Sequence, residues 1–350
     1  MSTTSPAPTR PLILDTFFPQ GVPPLWCPLL THYDRDGAID RARMAAHLNH
    51  LSAHVRGYLI PGSTGDGWEM NDAEIREVLE AAIERSRPLE MHILIGVLKT
   101  DAVEACQHVL QTMAWLHERT GEQDPLRALL KANVCGFTVC PPRGKDIWQQ
   151  EIRDSLASIL ETGLPIALYQ LPQMTQNEMS PEVVHELATK FQNFILFKDT
   201  SGRDIVAEQR LDLGGVLLVR GAEGDYARWL LTAGGPYHGF LLSTANTFAR
   251  ELHRIIEDCT HGRTNAAAKL SERLTSAVRE GFALVDKLPQ GNAFANGNKA
   301  FDHFFAHGPK AAEVPPPRLH AGVTLPIEVI RAAGEVLARH GFMPKKGYLE

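Results

Sequence analysis

The chain has 350 residues, of which 44% are hydrophobic and 22% are charged, and this composition excludes disordered, collagen-like and disulfide-scaffold proteins. Its 35 Lys and Arg residues against 41 Asp and Glu residues give a formal net charge of −6, so a nucleic-acid partner is not expected. The sequence contains no apolar run near the ~18 residues that cross a membrane, so no membrane partner is expected either.

The N-terminal region and the cysteines predict the compartment. Residues 1–20 begin with Ser, Thr and Pro and lack the continuous apolar segment of a signal peptide, so we predict a flexible N-terminal arm there. Five cysteines, an odd number without a C-x-x-C pair, indicate reduced thiols and a cytoplasmic location. These cysteines are Cys27, Cys106, Cys135, Cys140 and Cys259.

From residue 21 onward, short apolar runs alternate with amphipathic segments in eight strand–helix units. The predicted strands are 25–33, 57–61, 92–97, 136–140, 166–170, 194–199, 216–221 and 239–243. The predicted helices are 40–55, 72–87, 101–118, 146–162, 181–190, 204–211, 225–232 and 246–260. Start signals support the helices: Asn71 with Glu74 fits a capping box, and Ser180 precedes Pro181 as an N-cap.

The strand runs predict an α/β protein with a parallel sheet. They are apolar without alternation, which is typical of parallel strands buried on both faces. Eight such units most simply close into a (β/α)₈ TIM barrel, which we place over residues 21–262. An open doubly wound sheet is the alternative, but the dinucleotide fingerprint that it often carries is absent.

Two segments fall outside the repeating unit. Residues 119–133 are predicted to form an extra loop or short helix before the fourth strand. Residues 265–287, 294–307 and 326–340 are predicted helices, and they constitute a C-terminal helical extension over residues 263–350.

Polar residues at the carboxyl ends of the strands are the candidates for chemistry, because active sites of such barrels lie at that end. Lys198 follows the apolar run of the sixth strand, where burial would disfavour the ammonium and leave a nucleophilic amine that can form an imine. The alternative is a lysine that reaches solvent or pairs with Asp199. Tyr169 ends the fifth strand and could relay protons to the same reaction, or its hydroxyl could simply bond a backbone acceptor.

A small loop follows the second strand. Gly62, Ser63, Thr64 and Gly65 offer backbone amides and two hydroxyls that can bind a carboxylate. The loop lacks the Lys of a phosphate-binding loop. The alternative is an ordinary strand-to-helix turn that needs glycine for its backbone angles.

Together, these features resemble the dihydrodipicolinate synthase and N-acetylneuraminate lyase family of class I aldolases. The resemblance covers residues 25 to about 318. Its motifs are PLLT at 28–31, DGAID at 36–40, GSTGD at 62–66, YQLP at 169–172, FKDTSG at 197–202 and STAN at 243–246.

The resemblance implies a Schiff base between Lys198 and a 2-oxo acid such as pyruvate. It implies that Tyr169 relays protons, that the loop at 62–65 binds the substrate carboxylate through Ser63 and Thr64, and that Leu241 offers a backbone carbonyl. Gly221, Glu223 and Ser243 fall where the lyase branch binds the polar tail of its substrate. The family also implies a homotetramer built as a dimer of dimers, with no metal and no dissociable cofactor.

The chain departs from the family pattern at several positions. Cys140, Pro141, Pro142 and Arg143 stand where the family commonly has a Pro-Tyr-Tyr segment, whose tyrosine serves a neighbouring subunit's proton relay. Met174 stands where the synthase branch has an arginine for its second substrate, Asp66 replaces a Glu, and His32 replaces a Pro.

We therefore predict a Schiff-base lyase for pyruvate or another 2-oxo acid rather than the lysine-biosynthetic synthase. The alternatives are a 2-oxo-3-deoxy sugar acid dehydratase of the same family and a catalytically inactive ligand-binding barrel. His47, His50 and His54 recur at helical spacing beside an apolar stripe and predict a solvated helix shoulder rather than a metal site.

Overall fold

The protein is described from a computed structural model that covers residues 8–350. Its eight strands close into a barrel in the order β1 to β8, and the described strand pairs are parallel. The predicted (β/α)₈ barrel is therefore confirmed, and the open sheet is excluded. The strands are β1 (Leu25–Pro28), β2 (Gly57–Ile60), β3 (His92–Val97), β4 (Val134–Val139), β5 (Ile166–Gln170), β6 (Phe194–Asp199), β7 (Leu217–Arg220) and β8 (Gly239–Leu241).

Helices separate the strands and continue beyond the last one. Those up to β8 are α1 (Arg10–Phe17), α2 (Arg41–Leu51), α3 (Asp72–Ser86), α4 (Ala102–Thr120), α5 (Pro125–Lys131), α6 (Gln149–Leu160), α7 (Pro172–Thr175), α8 (Pro181–Lys190), α9 (Ile205–Glu208) and α10 (Tyr226–Trp229). After β8 come α11 (Ala245–Thr260), α12 (Thr264–Ala283), α13 (Ala293–His307) and α14 (Ile327–Arg339). Among residues 8–350, no helix has the length and apolar character needed to cross a membrane.

Local sequence signals explain where several helices begin. The Asn71 side chain accepts from the backbone N–H groups of Ala73 and Glu74, and Glu74 bonds back to the Asn71 N–H, so the predicted capping box is confirmed. Ser180 caps α8 ahead of Pro181 as predicted. Helix α5 falls in the segment that was predicted as a loop or short helix.

Helices α9 and α10 are much shorter than predicted, with four residues each. Asp204 and Asp225 occupy their N-cap positions with positive φ, and neither side chain caps its helix. The Asp204 carboxylate instead accepts from the Arg220 guanidinium at 2.9 and 3.0 Å. Without a side-chain cap, the first N–H groups of each helix lack that hydrogen-bond partner, and a short connection leaves few residues whose hydrogen bonds could stabilise the helix further. Each helix therefore has only about one turn.

The predicted N-terminal arm is wrong for part of its length. Residues 1–7 lie outside the described residues, but Arg10–Phe17 form helix α1. Arg10 is buried and its guanidinium donates to the carbonyls of Phe194, Ala188 and Phe191 at 2.5 to 2.8 Å. Arg10 therefore provides hydrogen-bond donors for backbone carbonyls at the end of α8 and the start of β6. The composition of the N-terminal region did not reveal this role.

The described contacts group the chain into two units. The first comprises the N-terminal segment up to residue 23, residues 92–222 and residues 236–238, and it contains β3 to β7. The second comprises residues 24–91, 223–235 and 239–350, and it contains β1, β2, β8 and helices α11 to α14. The helices after residue 263 thus group with the first and last strands, and the predicted boundary between barrel and extension stays a prediction.

Candidate active site

Lys198 and Tyr169 lie side by side in the first unit. They are direct partners in the register of β5 and β6, so their side chains leave the sheet on the same face. Lys198 is only 3% exposed, and its Nζ lies 3.8 Å from the centroid of the Tyr169 ring. At this distance the ring face stabilises a cation and fixes the position of the amine. The structure therefore brings these two predicted site residues together.

Gly221 provides the space that the Lys198 side chain occupies. It directly follows β7, and its N–H donates to the Asp199 carbonyl at 2.6 Å. A Cβ built on Gly221 would lie 2.9 Å from Lys198 Cε and 2.4 Å from Thr200 Oγ1. Since carbon atoms do not approach so closely, any side chain at 221 would displace the lysine. The predicted substrate contact of Gly221 stays a prediction, but its position beside the amine is clear.

Cys140 directly follows β4, at the position where the chain departs from the family motif. The thiol is buried, and burial raises its pKa to about 12. The positive charge of Lys198 acts to lower this pKa, but its effect is smaller than that of burial. The thiol is therefore protonated at neutral pH and adds a soft apolar surface near the amine. The sequence identified Cys140 only as a departure from the family, because residue type alone did not show that its buried thiol lies within electrostatic reach of Lys198.

A buried polar cluster supports the strand that carries Lys198. Arg220 on β7 pairs with Asp204, and the Tyr237 hydroxyl donates to Asp204 Oδ1 at 2.6 Å. Asp199, adjacent to Lys198, accepts from the Ser201 N–H, and burial raises its pKa. Because the Asp199 side chain alternates with that of Lys198 along β6, its hydrogen bonds orient the strand from the opposite face.

The Ser63–Gly65 loop lies in the second unit and forms one 3₁₀ turn directly after β2 and Pro61. Thr31 Oγ1 donates to the Gly65 carbonyl at 2.8 Å, and the Asn292 side chain donates to the Ser63 carbonyl at 3.1 Å. Gly65 is required for close approach, because a Cβ there would lie 2.3 Å from the Leu29 carbonyl oxygen. The carboxylate contacts predicted for Ser63, Thr64, Gly62 and Gly65 stay predictions.

Asp66 closes this loop in a left-handed conformation, with φ of 62°. Its carboxylate accepts from Lys299 Nζ at 2.6 Å and from the Tyr33 hydroxyl at 3.1 Å. Both members of the ion pair are buried, and Lys299 comes from helix α13. The sequence identified Asp66 only as a replacement for Glu, because no local pattern links it to a lysine 233 positions away.

Glu223 and Ser243, both in the second unit, bind each other. Ser243 Oγ and Thr244 Oγ1 each donate to the Glu223 carboxylate at 2.7 Å, and the Tyr226 hydroxyl donates at 3.1 Å. Burial raises the pKa of Glu223, whereas these donors act to lower it. Leu241 ends β8 and is buried. The substrate contacts predicted for Glu223, Ser243 and Leu241 stay predictions.

Among residues 8–350, one group has the composition of a metal site, namely His32, His47 and Asp302, all buried in the second unit. The ring nitrogens that could bind a metal already take part in hydrogen bonds. His47 Nε2 lies 2.8 Å from the Asn246 carbonyl, and His32 Nε2 lies 3.0 Å from His47 Nδ1. Arg43 donates to Asp302 at 2.7 Å. Because a cation would have to displace this guanidinium from the carboxylate, the group fits a hydrogen-bonded network better than a metal centre.

This network corrects one prediction. His47 was predicted to lie on a solvated helix shoulder with its helical neighbours, but it is fully buried. The Tyr348 hydroxyl also donates to Asp302, at 3.0 Å, so residues near the end of the chain contribute to the same cluster. The helical spacing of the histidines could not reveal these partners, because they come from distant parts of the sequence.

The closed barrel and the lysine–tyrosine pair on adjacent strands define the class as a (β/α)₈ barrel enzyme. The model of the dihydrodipicolinate synthetase family matches residues 134–286, a span that includes Tyr169, Lys198 and Gly221. An uncharacterized DapA-like lyase of Rhizobium meliloti is 28% identical over 49% of this chain and 51% of its own length. The 4-hydroxy-tetrahydrodipicolinate synthase of Brucella suis is 24% identical over 76% of this chain and 85% of its own length.

Solved structures share the fold. A dihydrodipicolinic acid synthase family protein of E. coli K12, in complex with pyruvate, superimposes with a TM-score of 0.69 at 19% identity, covering 91% of this chain and 98% of that one. A 2-keto-3-deoxygluconate aldolase variant of Sulfolobus solfataricus gives a TM-score of 0.69 at 16% identity, covering 91% and 96%. The match to the dihydrodipicolinate synthetase family model and the relatives described as synthases support the predicted family, whose members are carbon–carbon lyases.

Proposed function

We propose that the protein is a Schiff-base lyase that acts on pyruvate or another 2-oxo acid through Lys198. The observation that carries this proposal is the buried Lys198 amine, held 3.8 Å from the Tyr169 ring on the neighbouring strand. A lysine in such surroundings is shielded from water, and an imine needs both a nucleophilic amine and removal of the water that its formation releases.

The named relatives support this substrate class. One relative of similar fold was solved with pyruvate, and another is a 2-keto-3-deoxygluconate aldolase. The first relative by sequence is described as a lyase. Each of these names fits a reaction that makes or breaks a carbon–carbon bond next to a 2-oxo acid.

The chemistry follows from the two side chains. The neutral Lys198 amine adds to the ketone of the substrate. The Tyr169 hydroxyl then gives its proton to the departing hydroxyl group of the carbinolamine, so that loss of water leaves a protonated imine and a Tyr169 phenolate. In the cleavage direction the Tyr169 oxygen removes the proton of the C4 hydroxyl, the C3–C4 bond breaks, and its electron pair enters the imine to give an enamine and an aldehyde. Protonation of the enamine carbon and hydrolysis of the imine then release pyruvate and restore the amine.

The remaining parts of the proposal come from the family. Ser63 and Thr64 would bind the substrate carboxylate with the backbone of Gly62 and Gly65, while Leu241, Gly221, Glu223 and Ser243 would contact the rest of the substrate. The reaction would need no metal or dissociable cofactor, because the lysine itself forms the electron sink. We further propose a homotetramer and a cytoplasmic location; the cysteines described in the structure are free thiols, which fits a reducing compartment.

We do not assign the lysine-biosynthetic condensation. The tyrosine that the family uses after the fourth strand is replaced here by Pro142 and Arg143, and Met174 stands at the position of the second-substrate arginine. Formation of the imine needs neither of these groups. We therefore propose formation of the imine between Lys198 and the 2-oxo acid and name no second substrate.

Borohydride reduction in the presence of pyruvate tests the proposal. We expect the intact protein to gain the mass of one reduced pyruvate, because hydride converts the imine into a stable secondary amine. The Lys198→Arg variant keeps the positive charge but cannot form the imine, so it serves as the matched control and should gain nothing. An unlabelled wild-type protein under saturating pyruvate would contradict the proposal and favour a ligand-binding barrel without catalysis.

Product analysis separates cleavage from dehydration. With a 2-oxo-3-deoxy sugar acid as substrate, a lyase releases pyruvate and an aldehyde, whereas a dehydratase loses water and keeps the carbon chain intact. We expect pyruvate. Water loss without pyruvate would support the dehydratase instead and would leave the imine at Lys198 in place.

A further inference from the structure

A hydrogen bond from Trp68 restricts the orientation of the Ser63 hydroxyl. Trp68 Nε1 lies 2.9 Å from Ser63 Oγ. An indole N–H can only donate a hydrogen bond, so the serine oxygen must be the acceptor. The hydroxyl proton of Ser63 is therefore directed away from Trp68.

We infer that Trp68 is a positioning residue that directs the Ser63 hydroxyl proton away from the indole and thereby orients it to donate to the substrate carboxylate. This inference rests on the proposed function, in which Ser63 binds the carboxylate of a 2-oxo acid. A hydroxyl that already accepts from an N–H is also polarised to donate more strongly to an anion.

The backbone around Ser63 is fixed independently of Trp68. Its carbonyl accepts from Asn292, and the following Gly65 carbonyl accepts from Thr31. At the end of the loop, the buried pair of Asp66 and Lys299 holds the chain in its left-handed conformation. With the main chain held at these three points, the Ser63 hydroxyl can still rotate, and the Trp68 N–H restricts that rotation.

The charge of the substrate makes this orientation matter. A carboxylate accepts hydrogen bonds and donates none, so a hydroxyl whose proton already points away from Trp68 is oriented to donate to it. Without Trp68, the Ser63 hydroxyl would rotate among several directions. Part of the free energy of substrate binding would then be spent on returning it to the direction in which it donates to the carboxylate. The reacting ketone is not touched by Trp68, so the chemical step should be unaffected once substrate is bound.

The variant Trp68→Phe keeps an aromatic ring and removes the N–H. We expect the pyruvate concentration for half-maximal borohydride labelling of Lys198 to rise about fivefold, with maximal labelling unchanged, since one hydrogen bond of ordinary strength is lost. Trp148→Phe is the matched control, because Trp148 is 81% exposed and lies at the start of α6, and it should leave the half-saturation concentration unchanged.

A double-mutant cycle with Ser63→Ala separates positioning from general destabilisation. If Trp68 acts through the Ser63 hydroxyl, Trp68→Phe will have no further effect in the Ser63→Ala background. An equal rise in both backgrounds, or no rise in either, would overturn the inference while labelled wild-type protein still supports the lyase. A wild-type protein that is not labelled at all would overturn the proposed function and this inference together.

Discussion

Two buried lysines, Lys198 on strand β6 and Lys299 on helix α13, show how the surroundings of an amine decide its use. Both are at most 3% exposed, and both lie against a tyrosine ring, at 3.8 Å from Tyr169 and 4.7 Å from Tyr33. Lys299 Nζ also lies 2.6 Å from the Asp66 carboxylate. Lys198 lies within electrostatic reach of the buried, neutral thiol of Cys140, and its Cε lies close to Gly221.

The difference teaches that burial alone does not define a nucleophile. The carboxylate beside Lys299 stabilises its ammonium and uses it to close the loop at Asp66, so this lysine has a structural role. Lys198 lies at the carboxyl end of a barrel strand, next to a phenol and a glycine that leaves room for its side chain. The account therefore predicts reactivity at one lysine and not at the other.

The largest effect is expected for Lys198→Arg. The guanidinium keeps a positive charge over the Tyr169 ring but cannot form an imine, so turnover should fall by at least about 10,000-fold. Turnover of a 2-oxo-3-deoxy sugar acid would be measured by pyruvate release, and circular dichroism would confirm that the variant is folded. Retention of more than a few per cent of the activity would exclude Lys198 as the nucleophile.

Tyr169→Phe separates the ring of the tyrosine from its hydroxyl. The cation remains over an aromatic face, so the amine should keep its position, whereas the proton relay is lost and turnover should fall by about 1,000-fold. Borohydride labelling at long incubation measures imine formation separately from cleavage, and labelled but inactive protein is the expected result. Unchanged turnover would assign the proton transfer to another group.

Gly221→Ala tests whether space around Lys198 matters. The added Cβ would meet Lys198 Cε and Thr200 Oγ1, so the amine must shift, and a misplacement near 1 Å costs about 100-fold in turnover. The backbone at 221 needs no left-handed conformation, so folding should be retained, and melting temperature would be the check. Full activity in a folded variant would show that the lysine adapts.

The smallest effect concerns a buried histidine on the helix that carries Lys299. Helix α13 also carries His303, whose pKa burial lowers to about 4. Below the ordinary histidine pKa of 6.5 the unfolded chain binds a proton that the folded chain does not, so stability should decrease as the pH falls from about 6.5 to 4. We expect a loss on the order of 2 kcal/mol from this group.

Urea unfolding across this pH range would measure the loss. In His303→Gln the pH dependence should be shallower by the same amount, because the titrating group is gone. Asp302 acts in the same direction at lower pH: despite burial, the charges of His47, Arg43 and His32 lower its pKa, so its contribution is lost only on strong acidification. A stability profile that rises toward pH 4 would contradict this assignment.

The sequence predicted the barrel because its signals are local and repeated eight times. Apolar runs and helix caps such as those at Asn71 and Ser180 depend on neighbours within a few residues, and strand order follows from chain order in a parallel barrel. The pairing of Tyr169 with Lys198 was accessible for the same reason, since adjacent βα units place their strand ends side by side.

The parts that the sequence did not predict depend on distant partners. The carbonyl contacts of Arg10, the pairing of Asp66 with Lys299 and the burial of His47 each join residues that no short pattern connects. Helices α9 and α10 are shorter than predicted: the side chains of Asp204 and Asp225 do not cap them, and the Asp204 carboxylate accepts from Arg220 instead. In each of these places, contacts between residues far apart in the sequence determine the structure, and no local pattern reports them.

Peptide mapping after borohydride reduction with pyruvate tests the central claim most directly, because both buried lysines are read in one sample. The account predicts that the peptide containing Lys198 carries reduced pyruvate and that the peptide containing Lys299 carries none. Label on Lys299, or equal label on both lysines, would contradict it.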